Sequence, residues 1–171
     1  MKRHVALVGF MASGKSTIGR KLARKLGRPF VDTDALVVRE RGPISAIFAS
    51  EGEPVFRGYE SDAIRTALAN PLPSVIALGG GALTEPANVP LLAESAYRVF
   101  IKASPEQILS RVRVSREIRP LLGSAPTLAG IKELYQRRLP QYEAADLTVD
   151  VSRRSDANAV DEIVEWLRSR Q

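Results

Sequence analysis

Residues 9–16 read Gly9-Phe10-Met11-Ala12-Ser13-Gly14-Lys15-Ser16, a complete G-x-x-x-x-G-K-[ST] loop. That spacing suits a nucleoside triphosphate with Mg²⁺. Backbone N–H groups of the loop and of the helix that follows can point at phosphate oxygens, and the helix dipole favours negative charge there. In this pattern Lys15 reaches the β- and γ-phosphates and the Ser16 hydroxyl holds the metal. The flanks agree. Val5-Ala6-Leu7-Val8 leads in like a buried strand, Ile18, Leu22, Ala23 and Leu26 follow at helical spacing, and Gly27 stops the helix.

Four further groups could carry chemistry. Asp32-Thr33-Asp34 closes an apolar run. One carboxylate can stand near a metal through water, and the other can orient a hydroxyl or take its proton. Alternatively, Asp34 caps the next helix. Gly79-Gly80-Gly81 follows Val75-Ile76-Ala77-Leu78, so backbone amides there can approach an anion closely, or simply turn the chain. Phe56-Arg57-x-x-Glu60 puts Arg57 and Glu60 at i, i+3 on a helix, the spacing of a surface ion pair. Arg138-Leu-Pro-Gln-Tyr142 is weak alone. The only histidine, His4, sits at the edge of the first strand, so Ser-His chemistry and a histidine metal cluster have no support.

The elements that must position these groups alternate along the chain. Short apolar strands are expected at 4–9, 29–32, 74–78, 97–101 and 147–151. Helical patterns fall at 15–26, 34–50, 53–69, 104–113, 127–144 and 156–169, with Ser104, Thr127 and Ser155 or Asp156 as helix starts. Such alternation predicts a doubly wound α/β domain around a mainly parallel five-stranded sheet. Two segments are not framework. Residues 34–61 put two or three helical pieces between the second and third strands, and residues 113–125 are basic and broken by Pro and Gly. Insertions at the carboxyl ends of strands are where open α/β sheets bind ligands, and 113–125 reads as a closing lid.

Bulk properties narrow the ligand class. The chain has 171 residues, enough for one domain, with 44% hydrophobic and 26% charged residues. No cysteine is present, so disulfides and thiolate metal sites are out; a reducing cytoplasm is expected. No stretch approaches the roughly 18 apolar residues of a membrane span, and no signal peptide is expected ahead of the first strand. Net charge is +6, carried mainly by arginines that form no single run. Arg suits bidentate capture of phosphate and carboxylate, so anionic small molecules are favoured over nucleic acid.

Taken in order, Gly9–Thr17, Asp32-Thr33-Asp34, Phe56-Arg57-x-x-Glu60, Leu78-Gly79-Gly80-Gly81-Ala82, Arg119-Pro120-Leu121-Leu122 and Arg138-x-Pro-x-Tyr142 resemble the shikimate kinase family. The likeness runs from about Val5 to Leu167. It implies a three-layer P-loop kinase fold, one kinase domain over 1–171, a substrate-binding region at 33–61 and a mobile lid at 113–125. The activity it implies is transfer of phosphate from ATP to the 3-hydroxyl of shikimate, with Mg²⁺ as cofactor, by a cytoplasmic monomer. Ala12, Ser13, Gly14, Lys15, Ser16 and Thr17 would hold the phosphates, and Ser16 and Asp32 the metal. Asp34 would bind the ring hydroxyls and serve as base or orienter for the attacking 3-hydroxyl. Arg57 and Arg138 would clamp the carboxylate beside Gly79, Gly80 and Gly81. Arg119 would swing over the phosphates, Arg154 would lie near adenine, and Arg111 or Arg113 would contribute there. Position 12 departs from the Gly of many family members; Ala fits there unless φ is positive. Competing readings are another small-molecule kinase, acting on gluconate or a nucleoside monophosphate, and a basic nucleotide-dependent module for nucleic acid.

Overall fold

The computed structural model describes residues 4–115 and 117–170. Arg116 of the expected lid and the first three residues lie outside the described part. Five strands, β1 (His4–Val8), β2 (Phe30–Asp32), β3 (Val75–Ala77), β4 (Ala96–Lys102) and β5 (Leu147–Asp150), form one sheet in the order β2-β3-β1-β4-β5. Every pairing is parallel; Leu7 aligns with Ala77 on one side and Val99 on the other. All residues of β1 and β3 are buried, so both faces of the central sheet are covered by helices.

The helices are α1 (Lys15–Leu26), α2 (Thr33–Arg41), α3 (Ile44–Ser50), α4 (Glu53–Leu68), α5 (Asn88–Ser95), α6 (Pro105–Val114), α7 (Leu128–Glu143) and α8 (Asp156–Arg168). Ser104, Thr127 and Ser155 cap α6, α7 and α8 through their side chains, at the expected starts. Two expectations need correction. The single helix drawn over 34–50 is two, because Gly42 adopts φ 87° and Pro43 opens α3 without continuing α2. Helix α5 was not foreseen: Asn88-Val-Pro-Leu-Leu is short, carries Pro90 in its first turn, and buries only Asn88 and Leu92.

Most apolar residues join one core around β1, β3 and β4. A second, smaller cluster of Val37, Ile47, Phe56 and Ala63 holds α2, α3 and α4 together. Asp34, Arg57 and Glu60 are carried by α2 and α4, so their mutual spacing is set by this small cluster more than by the sheet. No helix among the described residues is long and apolar enough to cross a membrane.

Candidate active site

The loop between β1 and α1 curls under its own lysine. The Lys15 ammonium donates to the Gly9 and Phe10 carbonyls at 2.8 and 2.7 Å, which leaves one of its three hydrogens for a ligand. Gly14, at φ 102°, starts α1 without a side-chain cap, so the first helical amides remain available to an anion. Ala12 has φ 57° and is the only non-glycine residue with positive φ among those described. The condition under which Ala would fit freely is therefore not met; an L-residue in this region costs about 1–2 kcal/mol. The Ala12 carbonyl accepts a hydrogen bond from Arg111 at 3.0 Å, which braces the loop from α6.

Asp32-Thr33-Asp34 spans the junction of β2 and α2. Asp32, not Asp34, caps the helix: its Oδ1 accepts the amides of Asp34 and Ala35, at 3.1 and 3.2 Å. Its Oδ2 accepts the Ser16 hydroxyl at 2.6 Å. A hydroxyl and a carboxylate oxygen side by side are hard donors that fit Mg²⁺. No cluster of three His, Cys, Asp or Glu among the described residues could hold a metal alone. Mg²⁺, which keeps waters and takes phosphate oxygens, suits so sparse a donor set. Thr33, fully buried, accepts the Gly79 amide at 3.2 Å and ties the acid pair to the glycine turn. The sequence reading passed over it; its only signal is a small β-branched residue between two acids.

Asp34 is thereby free of capping duty. Its Oδ1 is enclosed and has no hydrogen-bond partner. Burial, then the nearby carboxylates Glu60 and Asp32, push its pKa up to about 7. Lys15 moves the opposite way, to about 8, chiefly through burial, with Asp34 opposing the shift. A proton-accepting carboxylate and a cation thus sit in one cleft with pKa values close to neutral pH.

Beyond Asp34 the cleft is lined by Arg57 and Arg138. The Arg57–Glu60 contact at 2.7 Å is no surface pair: Glu60 is 1% exposed and Arg57 11%. Arg57 also holds Glu53 at 2.9 Å. Arg138, on α7, is buried, and its Nη1 has no hydrogen-bond partner. Glu60 is the group that sequence reasoning undervalued, since i, i+3 spacing does not reveal burial. The three glycines owe their place to close approach, not to positive φ. A Cβ on Gly79 would lie 2.7 Å from Asp34 Oδ1, and one on Gly81 would overlap the Arg57 guanidinium. Ile44, Phe48, Phe56, Ile118, Pro120 and Leu121 complete an apolar wall on this side.

The nucleotide side of the cleft has a volume of about 630 Å³ and is lined by the loop, Asp32, Asp34, Glu117 and Arg119. Arg119 lines both sides. It pairs with Glu117 at 2.6 Å, so its charge is met by an internal carboxylate. Not every expected residue joins this cleft. Arg154 pairs with Glu162 and lines a separate hollow with Asp150, Ser152 and Arg153. Arg113 lines a cavity beneath the 113–125 segment. Of the two pre-lid arginines, Arg111 is the one that touches the loop.

Known proteins match this chain over nearly its whole length. The family model for shikimate kinase covers residues 11–168. A shikimate kinase from Geobacter sulfurreducens is 44% identical over 99% of this chain and 93% of its own length. The solved shikimate kinase from Acinetobacter baumannii, in complex with shikimate, superposes with a TM-score of 0.92 at 32% identity, covering 99% of this chain and 94% of that one. A gluconokinase from Sinorhizobium meliloti reaches a TM-score of 0.63 at 19% identity, with 99% and 98% covered, and shares the fold alone. On sequence and structure alike, the chain belongs to the shikimate kinase family.

Proposed function

We propose that the protein transfers the γ-phosphoryl group of ATP to the 3-hydroxyl of shikimate, giving shikimate 3-phosphate and ADP on the route to aromatic amino acids. One observation carries this reading: a half-buried Arg57 and a buried Arg138 line one pocket with Asp34, whose enclosed Oδ1 has no partner and which also borders the Lys15 loop. A small acid with ring hydroxyls matches that order of charges. Its carboxylate meets the arginines and a hydroxyl meets Asp34; a neutral sugar would leave both guanidiniums without an anion to hold.

The chain's own groups then divide the work. Ala12 to Thr17 cradle the phosphates through backbone amides, and Lys15 neutralises charge on the transferred group. Gly79, Gly80 and Gly81 line the acid's pocket, where a side chain would collide with Glu60 and Asp34 at the first, with the Met11 amide at the second and with Arg57 at the third. Asp34, ionised at and above about pH 7, orients the hydroxyl and takes its proton as that oxygen bonds to the γ-phosphorus and the bond to ADP breaks. Arg119 leaves Glu117 to reach the phosphates when the 113–125 segment closes and excludes water. Ser16 and Asp32 would hold Mg²⁺, which supplies positive charge to the phosphate oxygens. Arg154, now paired with Glu162 in its separate hollow, would have to leave that pair to lie beside adenine, and Arg111 braces the loop. Residues 1–171 act as one kinase domain, with 33–61 as its substrate-binding region. A monomer is the proposed working unit. The lack of cysteine supports a cytoplasmic setting.

The test is ADP release from ATP and Mg²⁺ against shikimate, gluconate and nucleoside monophosphates. Turnover confined to shikimate is expected. Absence of turnover with shikimate overturns the reading.

A further inference from the structure

Tyr142 lies four residues beyond Arg138 on the same face of α7 and is 1% exposed. Its ring stacks on Phe100, with centroids 5.2 Å apart. Its hydroxyl donates to the Gly80 carbonyl, and the Arg138 guanidinium is near enough to the phenol to oppose the rise that burial gives its pKa. The polarity of this chain is forced. The tyrosine's single hydrogen goes to Gly80, and Arg can only donate, so the phenol oxygen is left as the acceptor toward Arg138. Burial pushes the phenol up to about 12, so the hydroxyl keeps that hydrogen across the working range.

The contact joins three parts of the cleft. Gly80 is wedged against the phosphate loop: a Cβ there would lie 2.9 Å from the Met11 amide nitrogen and 3.6 Å from Arg138 Nη1. Arg138 also sits over the Phe10 ring, 5.8 Å from its centroid. Held from both sides, the guanidinium keeps Nη1 buried, unpartnered and bordering the pocket.

We propose that Tyr142 is a positioning residue: through its hydroxyl it fixes the Arg138 guanidinium and the Gly80 peptide in the orientation that receives the substrate carboxylate. The role of that carboxylate rests on the function proposed above.

Tyr142→Phe in the full chain removes the hydroxyl and keeps the stacking on Phe100. Shikimate KM should rise about five- to tenfold, as for one lost hydrogen bond, while ATP KM stays within twofold. Combined with Arg138→Lys, the two effects should be less than additive. A readout without substrate accompanies these. In ¹⁵N-arginine-labelled protein, the Arg138 guanidinium resonances, assigned by their loss in Arg138→Lys, should shift and broaden in Tyr142→Phe. Unchanged Arg138 resonances overturn the proposal, as does a shikimate KM within twofold of the parent or an equal rise in both KM values. If the parent protein turns over no shikimate but the Arg138 resonances still respond, the function fails and the positioning of Arg138 by Tyr142 stands.

Discussion

The two sides of the cleft are built by opposite means. On the proposed nucleotide side the candidate ligand-facing groups run consecutively from Ala12 to Thr17, and Lys15 is held by carbonyls only five and six residues away. Much of that recognition is backbone. On the proposed substrate side Asp34, Arg57, Gly79–Gly81 and Arg138 come from four separate elements, and the link from Tyr142 to Gly80 closes a gap of 62 residues. That recognition uses buried side-chain charge, and the spacing of half of it depends on the small Val37, Ile47, Phe56 and Ala63 cluster. A phosphate can be bound by local geometry because it needs many equivalent donors. A carboxylate beside hydroxyls needs unlike groups at fixed separations, which only packing supplies.

Asp34 borders both sides, so its substitution should have the largest effect. Asp34→Asn should lower kcat by about 10² to 10⁴, with nucleotide binding retained. In the parent protein kcat/KM should fall on the acid side of about pH 7 as Asp34 takes up its proton, and on the alkaline side of about pH 8 as Lys15 loses its own. The same shift has a sign in stability. Folded Asp34 keeps its proton up to about pH 7, whereas the ordinary value is 3.8. Between these the folded state binds more protons, so stability falls as pH rises through that window. Ligand-free Asp34→Asn should therefore melt roughly 3 °C or more above the parent at pH 8, with the gain vanishing near pH 4. A Tm gain that persists at pH 4, or a kcat near that of the parent, would break the assignment.

Next in size is the substrate side alone. Arg57→Lys keeps the charge beside Glu60 but loses the planar fork, so shikimate KM should rise about tenfold with ATP KM within twofold. Initial-rate kinetics with each substrate varied separately would reveal any equal change in both constants, which would erase the division between the sides. The smallest effect belongs to the nucleotide side. Ala12→Gly relieves a left-handed L-residue against a more flexible unfolded chain, so Tm should rise by about 1–3 °C with shikimate KM unchanged. A lower Tm in a thermal melt would show that the loop gains more from the Ala12 methyl than the backbone loses.

The legible parts of the chain were those whose signal is local. The phosphate loop, the parallel α/β order and the caps at Ser104, Thr127 and Ser155 each depend on residues within a few positions of one another. The glycine turn and the two arginines could be singled out, but not their reason for being there. The arginine pair was visible as spacing, and Glu60 as a surface partner; burial turned that pair into a wall of the cleft. Helix α5 escaped notice because eight residues with one proline hold too little periodicity.

Residue order alone determined the ligand class, since a triphosphate loop closes on itself within eight residues. Tertiary structure decided the rest. It assigned capping to Asp32 and left Asp34 free, set Ala12 at positive φ, and brought Thr33 and Tyr142 to the glycine turn. Those outcomes depend on desolvation and on distances between elements, and both exist only once the sheet and helices have packed.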